Sequence, residues 1–507
     1  MLTRRRGLQV LLLWAGLVPM VAAGVPERLP VPEALEPAVA FWQRIYTDIP
    51  VDEGVIHDVR GRMLIVDRVT VPRPPHWQAR REAVTQALAR NREALRALAA
   101  QAMQPDGPDQ AALLARLPAT MGGAGAQALA ERLRFQGGLR ERFREGLARS
   151  GRWRDHITGV LAEQGVPRTL AALPHVESSF DPRARSHAGA AGLWQFTAGT
   201  GRRFLRVDPL VDERLDPWKS TRAAARLLAH NHAALGDWPL AITAYNHGLN
   251  GIRRAVREVD GTGYMAVRNN YDGPRFGFSS RHFYPALVAA ARVDGNAEAH
   301  FPGVRRDEPL ETVRVALPHY TPLDTLVDGL PVDRATVVGL NPGLGPSVRD
   351  GRQFVPRGHG IVLPARPGID WAAAIAGLPG ARLYQDQRPH RTHRVAAGQT
   401  LSGIAQRYDL DLQRLMAANA IEDARALRAG QTLDLPVAGA TPEPVGKMRY
   451  RVKRGDTLGA IAVRYDVGTD QLIRLNELDN PHRIRAGQQL VISRSAAVAA
   501  VDITRQP

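Results

Sequence analysis

The last third of the chain repeats itself, and this limits what it can fold into. Val395-Ala396-Ala397-Gly398-Gln399-Thr400-Leu401 recurs as Val452-Lys453-Arg454-Gly455-Asp456-Thr457-Leu458. At a constant offset of 57, Ile404 falls on Ile461, Ala405 on Ala462, Tyr408 on Tyr465, Leu415 on Leu472, Asn419 on Asn476, Gly430 on Gly487 and Leu433 on Leu490, with no gap over about 45 residues. Each copy therefore carries its own apolar positions and turn glycines, which predicts two small modules with separate cores. The pattern within a copy reads strand, helix, helix, strand, with Thr400 and Thr457 placed to cap the first helix. The copies span 392–436 and 448–492, and the Pro/Gly/Ala-rich stretch 437–447 between them reads as a linker.

The repeat resembles the LysM domain, on the Gly-Gln/Asp-Thr-Leu turn, the Ile-Ala-x-x-Tyr helix, the Leu-x-x-x-Asn pair and the closing Ala-Gly-Gln-x-Leu. The resemblance implies an α+β (βααβ) module that binds N-acetylglucosamine-containing polymers such as peptidoglycan. It also implies a shallow sugar groove between the first strand–helix loop and the second helix–strand loop, near Gln399, Thr400 and Asn419 in one copy and Asp456, Thr457 and Asn476 in the other. Residues 312–364 form a small mixed unit, and Leu340-Asn341-Pro342 makes it a candidate third relative, although the Gly-Asp-Thr turn is missing.

The chain has 507 residues, enough for several domains, and its 44% hydrophobic and 23% charged residues are globular values. It has no cysteine, which excludes disulfides, cysteine-ligated metals, thiol nucleophiles and an acylated-cysteine lipid anchor. The formal charge of +17 comes almost wholly from arginine and is thinly spread, with no basic block of the kind that tracks phosphates. Attraction to peptidoglycan carboxylates fits this pattern better than nucleic acid does. Arg4, Arg5 and Arg6 precede an apolar run from Leu8 to Ala23 that ends in small residues, which reads as a signal peptide over 1–23. An exported protein follows, and the resemblance to modules that bind peptidoglycan implies a wall-associated one, expected in the periplasm of a Gram-negative bacterium.

Residues 24–149 read as two short strands within 54–70, around a turn at Arg60-Gly61-Arg62, then helices over 77–103 and 109–148, with no chemistry apparent. Residues 150–295 carry helical segments, 296–311 a linker, and 365–391 irregular chain.

The candidate chemistry lies in 173–200. Leu173, Val176 and Phe180 share a helical stripe, so Glu177 sits among apolar neighbours. Burial of that kind disfavours the carboxylate and raises its pKa, as a general acid requires. On spacing alone, a capped or salt-bridged glutamate fits as well.

The surrounding motifs are more specific. Glu177-Ser178-Ser179-Phe180-Asp181-Pro182, Ser186-His187-Ala188-Gly189-Ala190-Ala191-Gly192-Leu193-Trp194-Gln195-Phe196, Asp212 through Ser220, and Ala244-Tyr245-Asn246-His247-Gly248 together resemble soluble-lytic-transglycosylase catalytic domains. In particular, it is similar to the family-D type of lytic murein transglycosylases, which also carry C-terminal LysM repeats. It implies a multidomain protein with a mainly α lysozyme-like catalytic domain over 150–295 and two LysM domains. The implied activity is non-hydrolytic cleavage between N-acetylmuramic acid and N-acetylglucosamine, giving 1,6-anhydromuramic products, with Glu177 as acid and then base. Ser186, Trp194, Gln195, Tyr245 and Asn246 would line the substrate cleft. Tyr284 is assigned there with less support, because in Arg281-His282-Phe283-Tyr284-Pro285 the tyrosine is shifted by one from the family's Tyr-x-Pro. The alternatives are a hydrolytic muramidase using Asp181 to activate water, and a non-catalytic wall-binding protein. No cofactor is implied, and the histidines show no metal-ligand spacing. The expected partner is the peptidoglycan glycan strand.

Overall fold

The computed structural model describes residues 29–60, 63–73, 75–419, 421, 423–435, 444, 447–465, 467–478, 480, 484–493 and 503–506. The expected signal segment 1–23 and most of the expected 437–447 linker lie outside the described residues. Among these residues, no helix is long and apolar enough to cross a membrane.

The largest hydrophobic core draws on both sides of the expected boundary at 150. Leu35, and Val39, Phe41 and Ile45 on the helix Glu36–Thr47 that follows it, pack with Leu147, Leu173, Trp194, Leu228, Ile242, Leu287 and Val293. Burying each such side chain stabilises the fold by about 1.5–3 kcal/mol. The helix Glu36–Thr47 lies along the helix Phe278–Gly295, and Arg292 pairs with Glu36 through two 2.7 Å hydrogen bonds. Residues 29–49 and 139–150 are thus part of the helical domain that contains Glu177.

The rest of the N-terminal region has its own core, formed by Ile56, Val66, Leu95, Leu98, Leu129 and Leu133. The two expected strands are present as β1 (Glu53–Asp58) and β2 (Ile65–Thr70), paired antiparallel. The helix expected over 109–148 is not continuous. It breaks into helices Pro108–Leu114, Gly123–Arg132 and Arg140–Ser150, with a strand β3 (Leu133–Gly137) on the free edge of β1. Edge pairing overrides helix propensity there, and Gly137-Gly138 turn the chain back into the helical domain.

Residues 312–383 form a third unit, larger than the 312–364 expected. Strands β4 (Thr312–Ala316) and β5 (Gly360–Pro364) pair antiparallel and bracket helices Leu323–Gly329, Arg334–Leu340 and Pro346–Arg349. The stretch expected to be irregular adds the helix Trp371–Ala376, and Trp371, Ile375, Leu378 and Leu383 join this unit's core. The expected linker 296–311 is docked too: Phe301 is buried, and Arg306 donates to Asp294 Oδ1 at 2.9 Å.

Both C-terminal modules have the expected strand–helix–helix–strand order. One contains Arg391–Arg394, Leu401–Arg407, Leu412–Ala418 and Thr432–Leu435; the other contains Lys447–Arg451, Leu458–Tyr465, Thr469–Leu475 and Gln489–Ser493. Each closes its own core, around Leu401, Ile404, Leu415 and Leu433 or Leu458, Ile461, Leu472 and Leu490.

Candidate active site

Glu177 is the last residue of a short helix, Leu173–Glu177. The helix stops there because Ser179 and Phe180 take positive φ angles of 51° and 56°, so Phe180 reaches the core across a turn. One residue outside the motif and one within it hold this turn. Arg149 donates to the Ser179 carbonyl from Nε at 3.0 Å and Nη2 at 2.7 Å. Ser178 Oγ donates to the Leu193 carbonyl at 2.9 Å, tying the turn to the second motif.

Behind the helix, the rings of Tyr46, Phe143 and His175 stack in a column, with centroids 4.8 and 4.5 Å apart. His175 Nε2 lies 3.1 Å from Asp294 Oδ1. Burial depresses the pKa of His175, so the neutral ring donates this bond. Burial opposes ionisation of Asp294, but the bond from His175 and the charges of Arg154 and Arg306 hold its carboxyl below the usual carboxylate range. The glutamate helix is thereby fastened to the helix Phe278–Gly295.

The Glu177 carboxyl opens onto a cleft of about 460 Å³ lined also by Tyr46, Arg142, Arg149, Asp181, Ser186 and Gln195. No group among the described residues hydrogen-bonds or ion-pairs with it, and desolvation by its surroundings raises its pKa to about 8. Among the described residues the carboxyl is therefore neither capped nor salt-bridged. Tyr245 is close enough for the Glu177 charge to reinforce the effect of burial in raising its own pKa. Its hydroxyl donates to the Trp194 carbonyl at 2.7 Å.

The Gly192–Phe196 segment forms the facing wall. Gly192 has a φ of +82°, and a Cβ there would lie 1.8 Å from the Arg214 carbonyl oxygen, so only glycine fits. Gln195, at φ +46°, donates from Nε2 to the carbonyls of Ala184 and Gly192. Ser186 is exposed at the rim, and its Oγ accepts from the Ala190 N–H at 3.0 Å.

The structure corrects two cleft assignments. Trp194 is fully buried, and its indole N–H donates to Thr221 Oγ1 at 2.9 Å, so it has no face free for a sugar. Tyr284 is also fully buried. Its hydroxyl donates to the Pro30 carbonyl at 2.7 Å and its ring packs on Tyr264. Asn246 is exposed outside the lining of this cleft and accepts from Ser280 Oγ at 3.3 Å. Conversely, Tyr46, Arg142 and Arg149 line the cleft although the sequence showed no chemistry in their region. Arg142 and Arg149 reach the cleft because the helix Arg140–Ser150 docks against the helix Leu173–Glu177, a contact that no local sequence pattern signals.

In the repeat modules the polar candidates are engaged within the fold. Asn419 donates to the carbonyls of Leu415 and Asp434 and accepts from the Asp434 N–H; Asn476 does the same with Leu472 and Val491. Thr400 and Thr457 cap helices through the N–H groups of Gly403 and Ala460. Gln399 accepts from the Ala396 N–H, and Asp456 accepts from the Tyr450 hydroxyl and the Lys453 N–H.

The family model described as the transglycosylase SLT domain matches residues 159–266, and the LysM domain model matches 393–436 and 450–493. The chain is a multidomain protein that joins a helical, lysozyme-like transglycosylase SLT domain to two LysM domains, and it is a lytic transglycosylase. It is similar to membrane-bound lytic murein transglycosylase D of Escherichia coli strain K12, with 29% identity over 335 residues, covering 63% of this chain and 72% of the relative. A putative tributyltin chloride resistance protein of Alteromonas sp. strain M-1 is 36% identical over 106 residues, covering 20% of this chain and 51% of the relative. Among solved structures, the soluble lytic transglycosylase Slt70 of Escherichia coli matches 45% of this chain and 36% of its own, at 20% identity and a TM-score of 0.24. The lytic transglycosylase Slt of Pseudomonas aeruginosa matches 29% and 24%, at 21% identity and a TM-score of 0.25.

Proposed function

We propose that this protein cuts the β-1,4 bond between N-acetylmuramic acid and N-acetylglucosamine in peptidoglycan without consuming water, in the periplasm. The observation that carries the reading is Glu177, an unpaired carboxyl with its pKa raised to about 8 on the wall of a cleft. Such a group is protonated at neutral pH and can donate to the glycosidic oxygen as the C1–O bond breaks. The carboxylate left behind then accepts the proton of the muramic C6 hydroxyl while O6 bonds to C1, closing a 1,6-anhydro ring. An internal nucleophile has a high effective concentration, so no second carboxylate is required. The two LysM domains would hold the enzyme on the polymer and raise its local concentration there.

Mass spectrometry of digested sacculi tests this. Anhydro-muropeptides from the native chain, and none from Glu177→Gln, are expected. Reducing-end products would instead assign a hydrolase, for which Asp181 in the same cleft is the candidate base. Binding to sacculi without any release would assign a wall-binding protein.

A further inference from the structure

The unit at 312–383 repeats the internal clamp of the two LysM modules. Asn341 follows its second long helix, donates to the Val337 and Val362 carbonyls at 2.8 and 2.7 Å, and accepts from the Val362 N–H at 2.8 Å. Asn419 and Asn476 bond in the same way to the residue four earlier and to the closing strand. The difference is the length of chain before the closing strand. The Asn-to-strand separation is 21 residues here and 15 in the modules.

The longer segment docks on the SLT domain. Asp212 N–H donates to Gly343 O and Gly345 N–H to Leu210 O, both at 2.8 Å. A Cβ on Gly345 would lie 1.9 Å from the Pro209 carbonyl oxygen, so the backbones meet directly. On β4, Arg314 pairs with Asp216, with contacts of 3.0 and 2.8 Å, and both side chains are largely buried.

Between the two units lies a crevice of about 510 Å³. Its acids are already neutralised: Asp212 takes two 2.8 Å bonds from Arg214, and Asp208 accepts from Arg206 and from the N–H groups of Leu210 and Val211. Two of its cations are free. The guanidinium groups of Arg183 and Arg349 have no hydrogen-bond or ion-pair partner among the described residues. A third, Arg185, lines both this crevice and the Glu177 cleft, so the two sites adjoin. No aromatic residue lines the crevice, so it offers no stacking face to a sugar ring.

We infer that this crevice is an accessory subsite that binds the carboxylates of the peptide attached to the glycan strand in the cleft, through Arg183 and Arg349. The inference rests on the peptidoglycan reading above. Fork-shaped guanidinium groups suit carboxylates, and a crevice adjoining the cleft can read the peptide while Glu177 acts on the sugar. The LysM-like unit then serves as a wall of the active-site region.

Two measurements on the full chain test this. The first is binding of a peptide-bearing muropeptide, and of the same glycan without peptide, to the native chain and to Arg183→Gln/Arg349→Gln. The double substitution should weaken binding of the peptide-bearing ligand about five- to tenfold and leave the bare glycan unchanged. Arg183→Lys/Arg349→Lys should retain part of the affinity. Equal affinities for native and Gln-substituted chains would overturn the subsite, as would equal losses on both ligands. The second is turnover of the same two substrates, where KM should rise for the peptide-bearing one with kcat nearly unchanged. If the native chain forms no anhydro products from either, the peptidoglycan mechanism fails, while the binding comparison still decides the subsite.

Discussion

Arg149 donates two hydrogen bonds to the carbonyl of Ser179, two residues after Glu177, from a helix outside the matched SLT segment. Those bonds hold a turn in which Ser179 and Phe180 both have positive φ, an arrangement that costs about 1–3 kcal/mol per residue unless its surroundings enforce it. Arg149→Ala should therefore destabilise the protein by about 1.5–3 kcal/mol and lower kcat more than it raises KM. Arg149→Lys, with one donor nitrogen in place of two, should fall between. Thermal melts and turnover of purified glycan strands check both expectations.

The raised pKa of Glu177 has two consequences of definite sign. If Glu177 is the acid of the proposed mechanism, turnover should decline as pH rises through about 8. For stability, the folded state holds this proton while an unfolded glutamic acid has lost it, from near pH 4.5 up to about 8. The contribution of this group to stability therefore falls as pH rises across that window, and it is unfavourable above it. Glu177→Gln should melt with the native chain near pH 4 and above it near pH 9, by a difference of order 1–4 kcal/mol. Equal melting at both pH values would show that the carboxyl is not desolvated.

The buried pair Arg314–Asp216 predicts how the third unit detaches. Arg314→Met leaves Asp216 with its helix-capping bonds to the Trp218 and Lys219 N–H groups but without its cation. Removing one partner of such a pair costs about 3–5 kcal/mol. Protease cleavage between 301 and 311 should appear earlier than in the native chain, which limited proteolysis with mass mapping would show.

The Asn419 and Asn476 clamps predict selective loss of wall binding. Each makes three hydrogen bonds that join a helix end to the closing strand of a module with a small core. At about 1 kcal/mol per bond, Asn419→Ala with Asn476→Ala should unfold both modules. Sedimentation with sacculi should drop while cleavage of short soluble strands persists.

What was legible in the sequence was local. The repeat announced its modules because strand, cap, helix and turn signals recur within a few residues of one another. The desolvated setting of Glu177 was legible because its apolar neighbours are adjacent in the chain. The strand Leu133–Gly137 was not, since only the distant edge of β1 makes that segment extended. Trp194 and Tyr284 were misplaced because their motifs give proximity to the cleft but not direction, and both side chains point into the core. Arg149 and the Arg183–Arg349 crevice depend on contacts between segments far apart in sequence, which no pattern of spacing encodes.

The packing of the helix Glu36–Thr47 against Phe278–Gly295 also bears on when the helix Leu173–Glu177 is supported. Contacts such as Tyr284 to Pro30 and Arg292 to Glu36 close loops of about 250 residues. Non-local closures of this kind form late and slowly. A nascent chain shorter than about residue 293 cannot complete the core that supports Glu177, whatever has already folded. The helix Leu173–Glu177 thus gains its full support only after the chain beyond the matched SLT segment has been synthesised.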